Sequence, residues 1–277
     1  MAFIVIHDEL TGHCQRFFPG EADLLVVSPV GNHYGIARIG CFDPLLDRRV
    51  IGRHVDDGRA CAARDRLGPR EAGPVIAAHG TARQRAAFHE NLARVAIRRD
   101  RYVIADETLA HFQAAAAAGI EVRDPLEIAS LRFGLGFGLL WRGELDSAEQ
   151  ELAVALPLAE KTGDASSITL CLTYLTIVQR KRGLVEPTRQ YARRSLEAAA
   201  AAHMPAYTAC ARGNLAWVAL REGDLAGARE HGRAALEGWG QTPLPYPFQW
   251  TALWPMLGLA LRERAVAEAV QLSRGLL

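Results

Sequence analysis

The sequence predicts a mainly α-helical fold, a right-handed α-solenoid of about four to five stacked helix hairpins, behind a small N-terminal α+β region. Three observations predict it. From Thr81 onward the composition shifts to Ala, Leu, Arg and Glu, strong helix formers, with few β-branched runs. Four segments then recur in register: WRGELDSAEQ at 141–150, KRGLVEPTRQ at 181–190, REGDLAGARE at 221–230 and RERAVAEAVQ at 262–271, spaced by 40, 40 and 41 residues. Thirteen residues past each turn position (Gly143, Gly183, Gly223 and Arg264) comes a leucine, at Leu156, Leu196, Leu236 and Leu277, so the register spans a whole second helix. The chain divides on this reading into an N-terminal region, 1–78, and a helical-repeat domain, 81–277.

The elements follow in order. Short β-prone runs at Phe3 to Ile6, Leu24 to Val30 and Tyr34 to Ile39 are separated by Gly, Pro and Asp, and Val30-Gly-Asn-His-Tyr between the last two reads as a hairpin turn, because Gly and Asn tolerate positive φ. Residues 43–74 are rich in Arg and Asp and broken by Gly52, Gly58, Gly68, Pro69, Gly73 and Pro74, with one short helix expected near Gly58 to Leu67. A degenerate first hairpin is expected from helices at Arg83 to Arg98 and Ile104 to Ala118 around the turn Arg99-Asp-Arg-Tyr102. Asp124-Pro125 opens the next helix, Asp as cap and Pro in the first turn. Each repeat is then a helix, a tight turn at the Gly, and a second antiparallel helix; one hairpin cannot bury its apolar face alone, and stacking buries it. Gln241-Thr-Pro-Leu-Pro-Tyr-Pro-Phe248 holds three prolines and interrupts the helices as a loop before the last hairpin.

These residues resemble the tetratricopeptide repeat (TPR). Leu135-Gly136, Gly143, Ala148 and Ala155 fall at the pattern's positions in the first clear repeat, and Leu215-Ala216, Gly223, Ala228 and Ala235 in the third. The second keeps Leu175 and Gly183 but carries Thr188 and Ser195 where Ala is usual, and the fourth keeps Ala269. The long-period, Arg- and Ala-rich form is similar to the helical-repeat regions of large bacterial signalling ATPases, ATPase-linked adenylate cyclases and transcription activators. That resemblance implies a sensor or docking arm in bacterial cytoplasmic signalling. The sequence departs from the full plan of those proteins in lacking a GxxxxGK[ST] phosphate loop, and the reading is of a truncated relative or split-gene fragment.

Composition narrows the function classes. The 277 residues carry 32 Lys+Arg against 31 Asp+Glu, a net charge of +1, which gives no electrostatic reason to expect direct contact with nucleic acid or an anionic membrane. No run of apolar residues reaches the roughly 18 to 20 that a membrane span needs. The five cysteines show no framework spacing, and the first residues lack a basic leader, so reduced thiols and a cytoplasmic location are expected.

A partner-binding groove is expected on the first helix of each hairpin, lined by Phe133, Phe137 and Trp141, then Ile177, Arg180 and Lys181, then Trp217 and Arg221, then Trp254 and Arg262. The residue two before the turn runs Trp141, Lys181, Arg221, Arg262, a cation in three of four repeats. A basic, aromatic groove suits an extended peptide with acidic groups or a terminal carboxylate. The other reading is that the aromatics are packing between repeats and the cations a solvated face near helix C-termini, where the dipole favours them.

The sequence points to no catalytic, cofactor-binding or metal-ligating residues. His7, His13, Cys14, His33, Cys41, His54, Asp56 and Asp57 lie in the N-terminal region without the spacing of a metal motif, and there is no GxSxG elbow. Gly134-Leu-Gly-Phe-Gly138 falls inside a helix at small-residue positions, where close packing accounts for it better than a phosphate loop. The expected function is therefore a non-catalytic scaffold that binds a protein or peptide. The alternative is a multidomain regulator or enzyme whose N-terminal region binds a ligand or metal, with the repeats as its regulatory arm.

Overall fold

A computed structural model describes the backbone of residues 2–7, 14–20, 25–30, 33–38, 69–100, 102–241 and 248–276, with side chains from Gly73 onward. The contacts divide the chain into two compact units, Met1–Leu92 and Ala93–Leu277. In the first, β1 (Ala2–His7) pairs antiparallel with β2 (Cys14–Gly20), and β3 (Leu25–Val30) with β4 (His33–Arg38), the latter with Val30 opposite His33. Strand β2 carries Pro19 and lacks a clean alternation, and the sequence reading does not find it. The helix expected near Gly58 to Leu67 lies outside the described residues, as do the side chains of the N-terminal histidines and cysteines.

Helix α1 (Pro69–His79) contains Gly73 and Pro74, residues that read as breakers in the sequence. Pro69 stands at its first position, where a missing N–H costs nothing, and Gly73 faces the Phe88 ring of the following helix, which lies 3.6 Å from where a Cβ would sit. Helix α2 (Ala82–Arg99) starts on a capping box: the Thr81 amide donates to Gln84 Oε1 at 2.9 Å and the Gln84 amide donates back to Thr81 Oγ1 at 3.2 Å.

Beyond α2 come α3 (Asp106–Val122), α4 (Pro125–Arg142), α5 (Leu145–Thr162), α6 (Ala165–Lys181), α7 (Val185–Ala201), α8 (Pro205–Glu222), α9 (Leu225–Gly240), α10 (Trp250–Arg262) and α11 (Val266–Arg274). Four antiparallel hairpins result, α4–α5, α6–α7, α8–α9 and α10–α11. We call the first helix of each A and the second B. Asp124 caps α4 by accepting from the Leu126 amide at 3.0 Å with Pro125 at the first turn, as expected; Asp164 and Asp224 cap α6 and α9 in the same way.

The turns repeat as the helices do. Gly143, Gly183 and Gly223 have φ of 86°, 75° and 84°, and the register partners Tyr102 and Arg264, at 66° and 58°, adopt the same left-handed backbone without being glycine. A second series, Arg123, Gly163 and His203, at 60°, 71° and 53°, marks the turns between hairpins. Between Tyr102 and Gly223 a left-handed residue thus falls about every twenty positions, ending one helix and starting the next.

Packing explains the small residues. Ala148, Thr188, Ala228 and Ala269, one per B helix, are all buried, as are Ala155, Ser195 and Ala235 one turn-pair later. In the second hairpin Thr188 donates its hydroxyl to the Leu184 carbonyl at 2.6 Å, and Ser195 shares a hydrogen bond of 2.8 Å with Thr173 of α6, so the polar replacements are satisfied inside the core. The glycines of Gly134-Leu-Gly-Phe-Gly138 sit within α4, and a Cβ on Gly136 would lie 2.8 Å from Leu152 Cγ of α5. Contact between successive hairpins runs from B helix to the next A helix and from A helix to A helix, so the A helices form one layer of the stack. Among the described residues no helix is long and apolar enough to cross a membrane.

Candidate functional site

The A-helix layer gathers most of the aromatic and cationic residues singled out in the sequence. Phe133, Phe137 and Trp141 follow one another along α4 at four-residue steps, with ring centroids 6.4 and 6.2 Å apart. Tyr174 of α6 meets Phe133 edge-on at 5.2 Å and Phe137 at 5.3 Å. Phe248, just ahead of α10 and buried, stacks on Trp141 at 6.1 Å and meets Tyr174 edge-on at 5.5 Å. The Trp141 indole N–H is enclosed there without an acceptor among the described residues. Phe248 thus ties the start of α10 to two other A helices. The proline segment before it, 242–247, is outside the described residues.

Cations continue the aromatic series. Lys181 places Nζ 5.5 Å from the Trp141 ring centre, and Arg221 places Cζ 5.8 Å from that of Trp217. Both ends of these pairs keep solvent contact, with Lys181 and Arg221 exposed and the two indoles half-buried. Ile177, expected on the same lining, is instead fully buried core.

Arg180 is different in kind. It is 8 % exposed, has Cζ over the rings of Trp217 and Trp250 at 5.6 and 4.9 Å from their centres, and donates through Nη1 to Asn214 Oδ1 and to the Thr251 carbonyl, both at 2.9 Å. Asn214 is itself fully buried, and its amide nitrogen donates to the Cys210 carbonyl at 3.1 Å, which aims Oδ1 at Arg180. The Thr251 carbonyl is free to accept because its helical partner, the residue four further on, is Pro255, which has no N–H. Burial pushes the Arg180 pKa down to about 10, which leaves it a cation at neutral pH. Nearby, burial pushes the thiols of Cys171 and Cys210 up to about 12, so neither is a nucleophile.

The remaining sequence-selected residues stand apart from this cluster. Arg262 donates to the Leu220 carbonyl at 3.1 Å and so caps the C-terminal end of α8. Trp254 stands 56 % exposed on α10, one turn beyond Trp250. Sequence reasoning missed Tyr174 and Asn214, which share one register position nine residues before the turn glycine and so vary where neighbours of the same layer meet. A shallow depression of about 380 Å³ at the turn between α7 and α8, lined by residues such as His203, Met204, Thr208 and Arg212, holds none of these rings. Among the described residues no three His, Cys, Asp or Glu side chains converge as a metal site would need.

Comparison with solved structures places the architecture. The chain is similar to BtubC (BKLC) from P. vanneervenii, with a TM-score of 0.59 at 15 % identity over 75 % of this chain and 85 % of that one. It is similar to a putative kinesin light chain of TPR-like repeats from Podosopora anserina, with a TM-score of 0.50 at 15 % identity over 71 % and 94 %. It is also similar to NprR in complex with its cognate peptide NprX, with a TM-score of 0.56 at 15 % identity over 82 % of this chain and 63 % of NprR. No protein-family profile and no curated protein sequence matches the chain. Identities this low speak to the fold alone, and the fold is that of a TPR-like helical-repeat protein.

Proposed function

We propose that the protein is a non-catalytic adaptor of bacterial cytoplasmic signalling whose repeat domain, 81–277, binds a peptide or protein segment along the A-helix face, with the region 1–78 as a separate part. The observation that carries this reading is the run of aromatic rings with cations set over them, Trp141 under Lys181 and Trp217 under Arg221, left partly open to solvent on one layer of the stack. A surface serving only packing would bury its rings and leave its cations in water; here rings and cations share one accessible face. Acidic residues on the partner are favoured by those cations through charge-assisted hydrogen bonds. The similarity to NprR, solved with its cognate peptide, supports the same use of the fold.

The test is a panel of labelled peptides rich in acidic and aromatic residues, titrated by fluorescence anisotropy into the full chain and into a Lys181→Ala, Arg221→Ala double variant. Arg262 is left intact because it caps α8. The variant should bind about tenfold more weakly, one charge-assisted contact's worth, at an unchanged melting temperature. Equal affinity of both proteins for every peptide that binds defeats the reading.

A further inference from the structure

The register of the repeat exposes one anomaly. Three residues before the turn stand Leu140, Arg180, Leu220 and Leu261. Leu140 and Leu220 are buried core, at 0 % and 8 % exposure, and Arg180 occupies the same place in the second hairpin at 8 %. A cation in a leucine's position costs desolvation energy that a leucine would not, and no carboxylate among the described residues repays it. The segment 242–247, Thr-Pro-Leu-Pro-Tyr-Pro, contains no acidic residue. The protein instead surrounds the guanidinium with two neutral acceptors, Asn214 Oδ1 and the Thr251 carbonyl, and two indoles.

Both acceptors engage Nη1. Nε and Nη2 have no protein partner among the described residues, yet neither is sealed from solvent. That leaves Nε and Nη2, the edge of the guanidinium that pairs two-for-two with a planar carboxylate, without a protein partner, while Nη1 is held by two acceptors and Cζ lies over the rings of Trp217 and Trp250.

We infer that Arg180, oriented by Asn214 and the Thr251 carbonyl and flanked by Trp217 and Trp250, is a carboxylate-binding subsite on the A-helix face. The inference rests on the proposed peptide-binding use of that face and assigns its anionic anchor to a buried arginine, whereas Lys181 and Arg221 contribute exposed charge. The carboxylate belongs to a ligand with an aromatic or apolar body that the indoles can cover. It comes either from a chain terminus or from an Asp or Glu side chain, since both present the same two oxygens. Binding supplies the missing counter-charge, and this compensates the burial that pushes the Arg180 pKa down.

The experiment follows the Arg180 Nε–H resonance of the full chain by NMR, identified through its cross-peaks to the Trp217 and Trp250 indoles. Four probes are used at constant ionic strength: N-acetylphenylalanine, its amide, N-acetylaspartate blocked as the amide, and inorganic phosphate. The inference expects a saturable shift with one or both carboxylates, the stronger of the two naming the source, and affinity for the amide at least about tenfold weaker. A shift of equal size with the amide overturns it, as does a stronger response to phosphate or no response at all. Arg180→Met, which restores an apolar residue of the kind found in the other repeats, should remain folded and lose the thermal stabilisation by N-acetylphenylalanine. Should that variant not fold, the wild-type titration still decides. If small carboxylates shift Arg180 while no peptide in the panel binds, the subsite stands and the peptide reading falls. If peptides bind equally as acids and amides and carry no acid that matters, the peptide reading stands and the subsite falls.

Discussion

At Arg264 the backbone has φ of 58°, a conformation three glycines adopt at the equivalent turns Gly143, Gly183 and Gly223. An L residue pays for that conformation through contact between its Cβ and the following carbonyl, at about 1–2 kcal/mol, and glycine offsets part of the saving by its freedom in the unfolded chain. Arg264→Gly and His203→Gly should therefore each stabilise the protein by about 0.5–1 kcal/mol, seen as a higher denaturation midpoint at an unchanged slope. The reverse change, Gly183→Ala, should destabilise by about 1 kcal/mol although no atom lies within 4 Å of the added Cβ, because the cost is conformational. A loss of stability in Arg264→Gly would mean that its side chain makes a contact worth more than the strain.

Between elements, charge pairs join each hairpin to the helix before it. The residue directly ahead of the turn is Arg142, Arg182, Glu222 and Glu263, and each reaches the helix before its own: Arg142 pairs with Asp106 of α3, Arg182 with Asp146 of α5, Glu222 with Arg189 of α7, and Glu263 with Arg229 of α9. The sign reverses between the second and third hairpins and the partner reverses with it, so the first two interfaces match each other and the last two match each other. Partly exposed pairs are worth little singly, about 0.2–1 kcal/mol. Arg189→Glu should cost about 1 kcal/mol, since it sets an acid beside Glu222 and Glu186, and adding Glu222→Arg should recover most of it in a double-mutant cycle read by chemical denaturation. Independent effects of the two changes would show the pair to be a surface coincidence. High salt should shrink the coupling.

The second hairpin, α6–α7, is the polar one of the set. Residues 171–180 of α6 are buried throughout, yet they include Thr173, Thr176, Gln179 and Arg180. The three neutral side chains are satisfied, Thr173 by Ser195, Thr176 by the Leu172 carbonyl, and Gln179 by Glu149 of α5. Thr188 and Ser195 stand out in the sequence as departures from the repeat. That Ser195 departs together with Thr173 is visible only in the fold, because the two lie on different helices.

In the stack as a whole, every hairpin leans on its neighbours, so a break in the middle removes interfaces on both sides. Leu215→Asp in α8, at a position 7 % exposed, buries an unpaired charge at a cost of several kcal/mol, comparable to the ~5–15 kcal/mol total stability of a typical domain. Loss of the helical circular-dichroism signal at room temperature, or a melting temperature lowered by more than about 10 °C, is expected. An unchanged melt would mean that Leu215 does not face the core.

By itself the sequence determined the helix hairpins, their period, their turn positions and the small residues of the B helices, because each is a local rule repeated: a cap, a left-handed residue, an alanine where backbones approach. It also named most residues of the aromatic and cationic face, since register alone puts them on the A helices. Tertiary structure decided what each of them does. The difference between Arg180 enclosed by Asn214, Trp217 and Trp250, Arg262 capping a neighbouring helix, and Trp254 standing in solvent arises from which helix comes next in space. Such contacts join residues tens of positions apart, and their energies depend on burial, which a repeat pattern read along one chain does not contain.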